Sequence, residues 1–182
     1  MAKQKEIIVG ITGSIAAYKS CELIRHLKEG GFGISVVMTD DAEKFVSALT
    51  FQTLSRNRVY RGLFNVAADE YDSEHVSLAR KADLILIVPA TANIIGKIAS
   101  GIADDLLTCT VIAAACPTLI APAMHDNMYR NKIVQDNIRK LKSAGYVFVG
   151  PTKGKLADGK SGIGRLADID AIVKEARKFL TK

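Results

Sequence analysis

Apolar residues in this chain gather into short unbroken runs separated by amphipathic stretches. EIIVGIT (6–12), ISVVMT (34–39), DLILIVP (83–89), TLIAPA (118–123) and YVFVG (146–150) lack polar alternation, the pattern of strands buried on both faces. Between them the apolar positions recur at helical spacing. Residues 14–29 predict a helix with Ile15, Ala16, Leu23, Ile24 and Leu27 on one face and Gly30-Gly31 as its stop. Further helices are predicted over 40–47, 50–55, 75–82, 91–100, 104–115, 132–144 and 168–180. A polar segment fills 65–74, and LADGKSGIGR (156–165) predicts a glycine-rich loop with too few apolar side chains to hold itself down by burial.

Strands alternating with helices at βα spacing give an α/β fold with a mostly parallel sheet. In such sheets ligands sit beyond the carboxyl ends of the strands, where the strand order reverses. Those ends are Thr12–Ser14, Thr39–Asp40, Pro89–Asn93, Ala123–Asn127 and Gly150 onward, and every unusual cluster of residues falls at one of them.

Composition narrows the class. The chain has 182 residues, 48% apolar and 24% charged, which suits one globular domain over 1–182 without repeats. Its net charge of +6 fits an anionic small molecule or a plain solubility bias. Nucleic acid is disfavoured, because the basic residues are scattered and no basic run is interleaved with aromatics. Cys21, Cys109 and Cys116 show no CxxC spacing and read as reduced core thiols of a cytoplasmic protein. Residues 1–6 run straight into a strand, so no signal peptide is expected. The longest apolar stretch, Leu106 to Ala123, is broken by Thr108, Thr110 and Cys116-Pro117 and predicts a helix and a strand rather than a membrane span.

Each cluster has a functional and a plain structural reading. GITGSIAAYK (10–19) matches neither GxxxxGK[ST] nor GxGxxG; it suits one phosphate at a helix start, or an ordinary βα turn capped by Ser14. VPATAN (88–93) offers small residues against which a flat ring can lie, or a tight turn capped by Thr91. His75, entering a helix in EHVSLARKAD, is a proton carrier or a surface histidine; His26 reads as surface. PAMHDNMY (122–129) offers His125, Asp126, Asn127 and two methionines as a ligand wall. Three histidines far apart, with no HxH or HExxH, argue against a metal, and the lack of GxSxG argues against a serine hydrolase.

Taken together and in this order, GITGSIAAYK, HVSLA, PATAN, ADDLL, PAMHDNMY and LADGKSGIGR resemble the homo-oligomeric flavin-containing cysteine decarboxylases, over about residues 6 to 170. Within that family the nearest likeness is to the branch that acts on phosphopantothenoylcysteine in coenzyme A biosynthesis. The resemblance implies a Rossmann-like three-layer sandwich with FMN bound between the subunits of a trimer, or of a dodecamer built from trimers. It implies that Gly13, Ser14, Ile15 and Thr39 face the FMN. Pro89, Ala90, Thr91, Ala92 and Asn93 would line the flavin, with Thr91 keeping the hydroxyl of the family's usual serine. His75 would be the active-site histidine, while His125 and Met128 would bind a small phosphorylated, cysteine-containing substrate. Residues 151–165, with Arg165, would form a flexible lid.

The family's chemistry removes CO2 after transient oxidation of the cysteine thiol to a thioaldehyde. Two residues depart from its pattern: His125 stands where asparagine is usual, and Asp158 where a proton-donating cysteine is usual. Asp158 fills that catalytic place only if burial raises its pKa, whereas Lys160 and Arg165 would lower it. The implied outcomes are the full reaction, a reaction that stops at the enethiol, another redox substrate, or a non-catalytic FMN-binding subunit.

Overall fold

A computed structural model describes residues 4–64 and 73–180. Six strands, β1 (Glu6–Ile11), β2 (Gly33–Met38), β3 (Val59–Tyr60), β4 (Leu84–Ala90), β5 (Thr118–Pro122) and β6 (Val147–Phe148), form the central sheet. Their order is β3-β2-β1-β4-β5-β6 and every neighbouring pair is parallel. In the two central strands Val9 lies between Val36 and Leu86.

The unbroken apolar runs are explained by two cores, one on each face. Ile7, Val9 and Ile11 point to one face, packed with Leu23, Ile24 and Leu27 of α1 (Ser20–Glu29), Phe51 of α3 (Ala48–Ser55), and Ile172 and Ala176 of α9 (Ile169–Leu180). Ile8, Ile85 and Ile87 point to the other. There they meet Leu78 of α4 (Glu74–Lys81), Ile94 and Ile95 of α5 (Ala92–Ser100), Leu107 of α6 (Leu106–Ala113) and Ile138 of α8 (Lys132–Ser143). Alternate residues of one strand thus serve opposite cores, so the strands are apolar on both faces apart from buried Ser35 in β2 and Thr118 in β5. The three-layer α/β Rossmann-like sandwich expected from the sequence is the fold observed. A Cβ on Gly10 would lie 2.5 Å from the Leu107 side chain, so glycine here lets α6 close on the sheet. ADDLL starts α6 through a capping box, in which Asp105 accepts the Thr108 amide at 2.8 Å and Thr108 Oγ1 accepts the Asp105 amide at 3.1 Å.

Several local expectations are corrected. The helix read over 14–29 is a 3-10 helix, Ile15–Lys19, followed by α1. The helix expected over 40–47 is the single turn α2 (Asp40–Glu43), and α7 (Asp126–Arg130) and β3 were not separated by the sequence pattern. The glycine-rich segment read as a loop contains β8 (Ser161–Arg165), which pairs antiparallel with β7 (Thr152–Lys155) just before it in a hairpin. Its pattern hid it, because β8 is buried at Gly162 and Gly164 and backbone does the packing that apolar side chains do elsewhere. The three free cysteines are partly buried rather than core, and burial pushes each thiol's pKa up. Residues 65–72 of the polar segment lie outside the described residues. Among the described residues no helix is long and apolar enough to cross a membrane, and no cluster of side chains could hold a metal ion.

Candidate functional site

The strand order reverses between β1 and β4, and the chain leaves both strands through hydroxyl-bearing residues. Thr12 Oγ1 donates to the Pro89 carbonyl at 2.7 Å and accepts the Thr91 amide at 3.2 Å. Ser20 Oγ donates to the Val88 carbonyl at 2.7 Å. These bonds fasten the end of β4 to the end of β1 and to the start of α1. The sequence placed Thr12 at a strand end but not its bonds; a hydroxyl at a buried strand end was the available signal. Ser14 caps the 3-10 helix and Thr91 caps α5, so the plain structural reading of both holds alongside any ligand role. Gly13 is required sterically, since its Cβ would lie 2.4 Å from that of Asp41.

Beyond this switch point lies a cavity of about 780 Å³. Gly13, Ser14, Ile15, Thr91 and Ala92 form its sheet-side wall. His125 and Met128 contribute from the segment after β5, and Asp158 and Arg165 from the hairpin. These nine expected residues are brought together. The other five are not: Thr39 caps α2, Pro89 and Ala90 are buried in the strand, Asn93 is exposed on the first turn of α5, and His75 does not line the cavity. Tyr18, Lys19 and Leu166 line it without having been foreseen, and Lys155 and Leu156 line it from the segment expected to form the lid. For Lys19 the hint was the chain's net positive charge.

The hairpin is fitted against the segment after β5 by close backbone approach. The Met124 amide donates to the Gly164 carbonyl at 3.0 Å, and the Ile163 amide donates to Asp126 Oδ1 at 3.0 Å. A Cβ on Gly164 would lie 2.1 Å from the Met124 carbonyl oxygen, which explains glycine there. The Asp126 carboxyl is held below the ordinary carboxylate range, chiefly by Arg130, whose Nε lies 2.8 Å away, and then by the Ile163 amide.

At the hairpin tip His125 and Asp158 meet, with Nε2 and Oδ2 3.3 Å apart. The other carboxylate oxygen, Oδ1, accepts the Lys160 amide at 3.0 Å. That amide, and after it His125, lower the Asp158 pKa despite an opposing contribution from burial. The environment therefore keeps Asp158 ionised at neutral pH, the reverse of the raised pKa that a proton donor at this position needs.

His75 lies elsewhere, in the first turn of α4. Its neighbour Glu74 is 5% exposed and pairs with Arg58, whose guanidinium stacks 5.0 Å over the Tyr60 ring. His75 Nδ1 is buried and lacks a hydrogen-bond partner among the described residues.

A sequence model of the family described as Flavoprotein matches residues 1–181. The chain belongs to that family. It is 46% identical over 182 residues to the coenzyme A biosynthesis bifunctional protein CoaBC of Bacillus subtilis, covering 100% of this chain and 45% of that protein. The protein of the same name from Borreliella burgdorferi is 45% identical over 174 residues, covering 96% of this chain and 44% of the relative. The chain thus spans less than half the length of these relatives.

Among solved structures, a PPC decarboxylase mutant complexed with pantothenoylaminoethenethiol superposes with a TM-score of 0.87 at 28% identity, covering 99% of this chain and 100% of that one. The FMN-dependent cysteine decarboxylase SpaF gives 0.84 at 31% identity, covering 98% and 97%.

The residues present fit a flavin. This flavoprotein's cavity has small groups at the switch point, where Gly13, Ser14, Thr91 and Ala92 let a flat ring approach backbone. Ile15, 59% exposed, supplies apolar surface beside them. Lys19, Lys155 and Arg165 add cations to the same space. A mostly apolar pocket with a few charged groups is the general form of a cofactor site.

Proposed function

We propose that this flavoprotein uses FMN to decarboxylate 4′-phosphopantothenoylcysteine towards 4′-phosphopantetheine. The observation that carries this reading is the switch-point cavity, with small and apolar groups on its sheet side and Lys19, Lys155 and Arg165 around it. The slot suits a flavin ring, and the cations suit the phosphates of cofactor and substrate and the substrate carboxylate. When bound, FMN supplies reversible two-electron oxidation of the substrate's CH2–SH group to a thioaldehyde, an electron sink β to the carboxylate.

The chain's own residues bind and orient. Gly13, Ser14, Ile15, Thr91 and Ala92 hold the flavin against the ends of β1 and β4. His125, Met128 and Arg165 bind the substrate, and the 151–165 segment covers it and excludes water. His75 serves acid–base steps in a cavity of a second copy, because α4 does not bring it to the cavity of its own chain. A homotrimer, or an assembly of trimers, supplies that copy. His75 Nδ1, which has no hydrogen-bond partner among the described residues, and the apolar helix α6, with Ile112 exposed, support a face that another copy covers.

One observation favours a second reading of the final step. With Asp158 ionised, the position from which a relative's cysteine would protonate the enethiol has no proton to give. The product would then be the unsaturated thiol, and the two electrons not returned to it would have to pass from the cofactor to an external acceptor such as dioxygen.

The purified protein is expected to be yellow, to release FMN on denaturation, and to convert 4′-phosphopantothenoylcysteine into a product lighter by CO2 alone. A product lighter by CO2 and two hydrogens selects the second reading. A colourless protein indifferent to FMN overturns both.

A further inference from the structure

Asp158 puts a carboxylate of the protein's own inside the cavity it helps to enclose. His125 Nδ1 accepts the Asn127 amide at 3.2 Å, so in the neutral ring the proton resides on Nε2. That Nε2 lies 3.3 Å from Asp158 Oδ2. A neutral imidazole has one N–H to give, and here the chain itself takes it. Two features follow from the geometry. The hairpin root is bound to the 124–126 segment through Gly164 and Ile163 whether or not Asp158 is present. The tip, by contrast, reaches the opposite wall through a carboxylate whose exchange for another acid leaves the root intact.

We propose that Asp158 is a specificity gate. Its carboxylate occupies the His125 N–H that a carboxylate of the incoming substrate must take, and it is displaced when that group arrives. The proposal rests on the reading that this cavity accepts an acidic substrate. It assigns Asp158 no proton transfer. Its effect is selective: a ligand that lacks the carboxylate has no contest with Asp158, whereas a ligand that carries one binds only by displacing it. Lys155 and Arg165 stand in the same cavity and attract either anion, so the contest is between two carboxylates in one positive field.

The test compares the flavin-loaded wild type with Asp158→Ala and Asp158→Asn. Dissociation constants for 4′-phosphopantothenoylcysteine, taken by stopped flow before turnover, and for its decarboxylated counterpart, 4′-phosphopantetheine, are read from the flavin spectrum. Both variants should favour the carboxylated compound over the decarboxylated one about tenfold more than wild type does, the size of one charge-assisted hydrogen bond. Asparagine still accepts the Lys160 amide, so an effect confined to alanine reports the turn and overturns the proposal. An equal change for both compounds, or weaker binding of the carboxylated one, also overturns it.

If neither compound binds wild type, the functional reading fails on its own. Acetate then decides the gate, followed through the His125 ring signals in ¹H–¹⁵N spectra of the flavin-loaded proteins. The variants should respond at lower acetate than wild type, and coincident midpoints refute the gate.

Discussion

The two walls of the cavity are made in different ways. The sheet-side wall, Gly13 to Ile15 and Thr91 to Ala92, stands on the buried bonds of Thr12 and Ser20 and on strands with no exposed side chain near the switch. The hairpin wall, Lys155 to Asp158 and Gly164 to Leu166, is a two-stranded ribbon held by amide contacts at its root and by exposed polar groups at its tip. Two strands alone are marginal in water, so this ribbon depends on what it leans against. The contrast teaches that one cavity can combine a wall set by the core with a wall set by local contacts. A cofactor that stays suits the first, and a substrate that comes and goes suits the second.

The largest expected effect is on the sheet side. Thr12→Val keeps the shape but leaves the Pro89 carbonyl and the Thr91 amide without their hydroxyl partner. Chemical denaturation should show a loss of about 1–3 kcal/mol, and flavin retention should fall with it. On the hairpin side, Gly164→Ala puts a methyl against the Met124 carbonyl oxygen. The ribbon can lift as a unit, so the global cost should be about 1 kcal/mol, at the low end for overpacking. Turnover should drop while flavin stays bound; a variant that loses flavin instead would erase the difference between the walls.

The smallest effect is in pH. The folded-state pKa of Asp158 is depressed, so its contact contributes above the unfolded carboxylate value and is lost as pH falls through the depressed one. A ¹³C titration of its carboxyl should give a midpoint below about 3.9. A midpoint at or above that value would mean the Lys160 amide and His125 do not hold the charge.

How much of this was legible in the sequence follows the same division. Strands β1, β2, β4 and β5 showed as apolar runs because both of their faces are buried, and their carboxyl ends pointed to the site, whereas the two-residue edge strand β3 did not show. The hairpin did not show, because Gly162 and Gly164 are packed through backbone and leave no apolar period. The pairing of His125 with Asp158 joins residues 33 apart and carries no local pattern. Thr12 was visible as a strand end but its bonds were not, since a hydroxyl's partners depend on how two distant strands end. His75 was found as a residue, but its place outside this chain's cavity is a property of the packing of α4.

The position of α9 has a consequence for how the molecule is made. Ile172 and Ala176 are wholly buried in the core that Val9 and Leu86 of the two central strands share. During synthesis the strand ends that form the inner wall leave the ribosome early, and α1 and α3 soon after them, yet the core beneath stays incomplete until α9 follows. The hairpin emerges immediately before that helix, so the outer wall of the cavity and the last plate of this core are delivered in one stretch of chain. Completion of the core and enclosure of the site thus fall at the same moment in the life of the polypeptide.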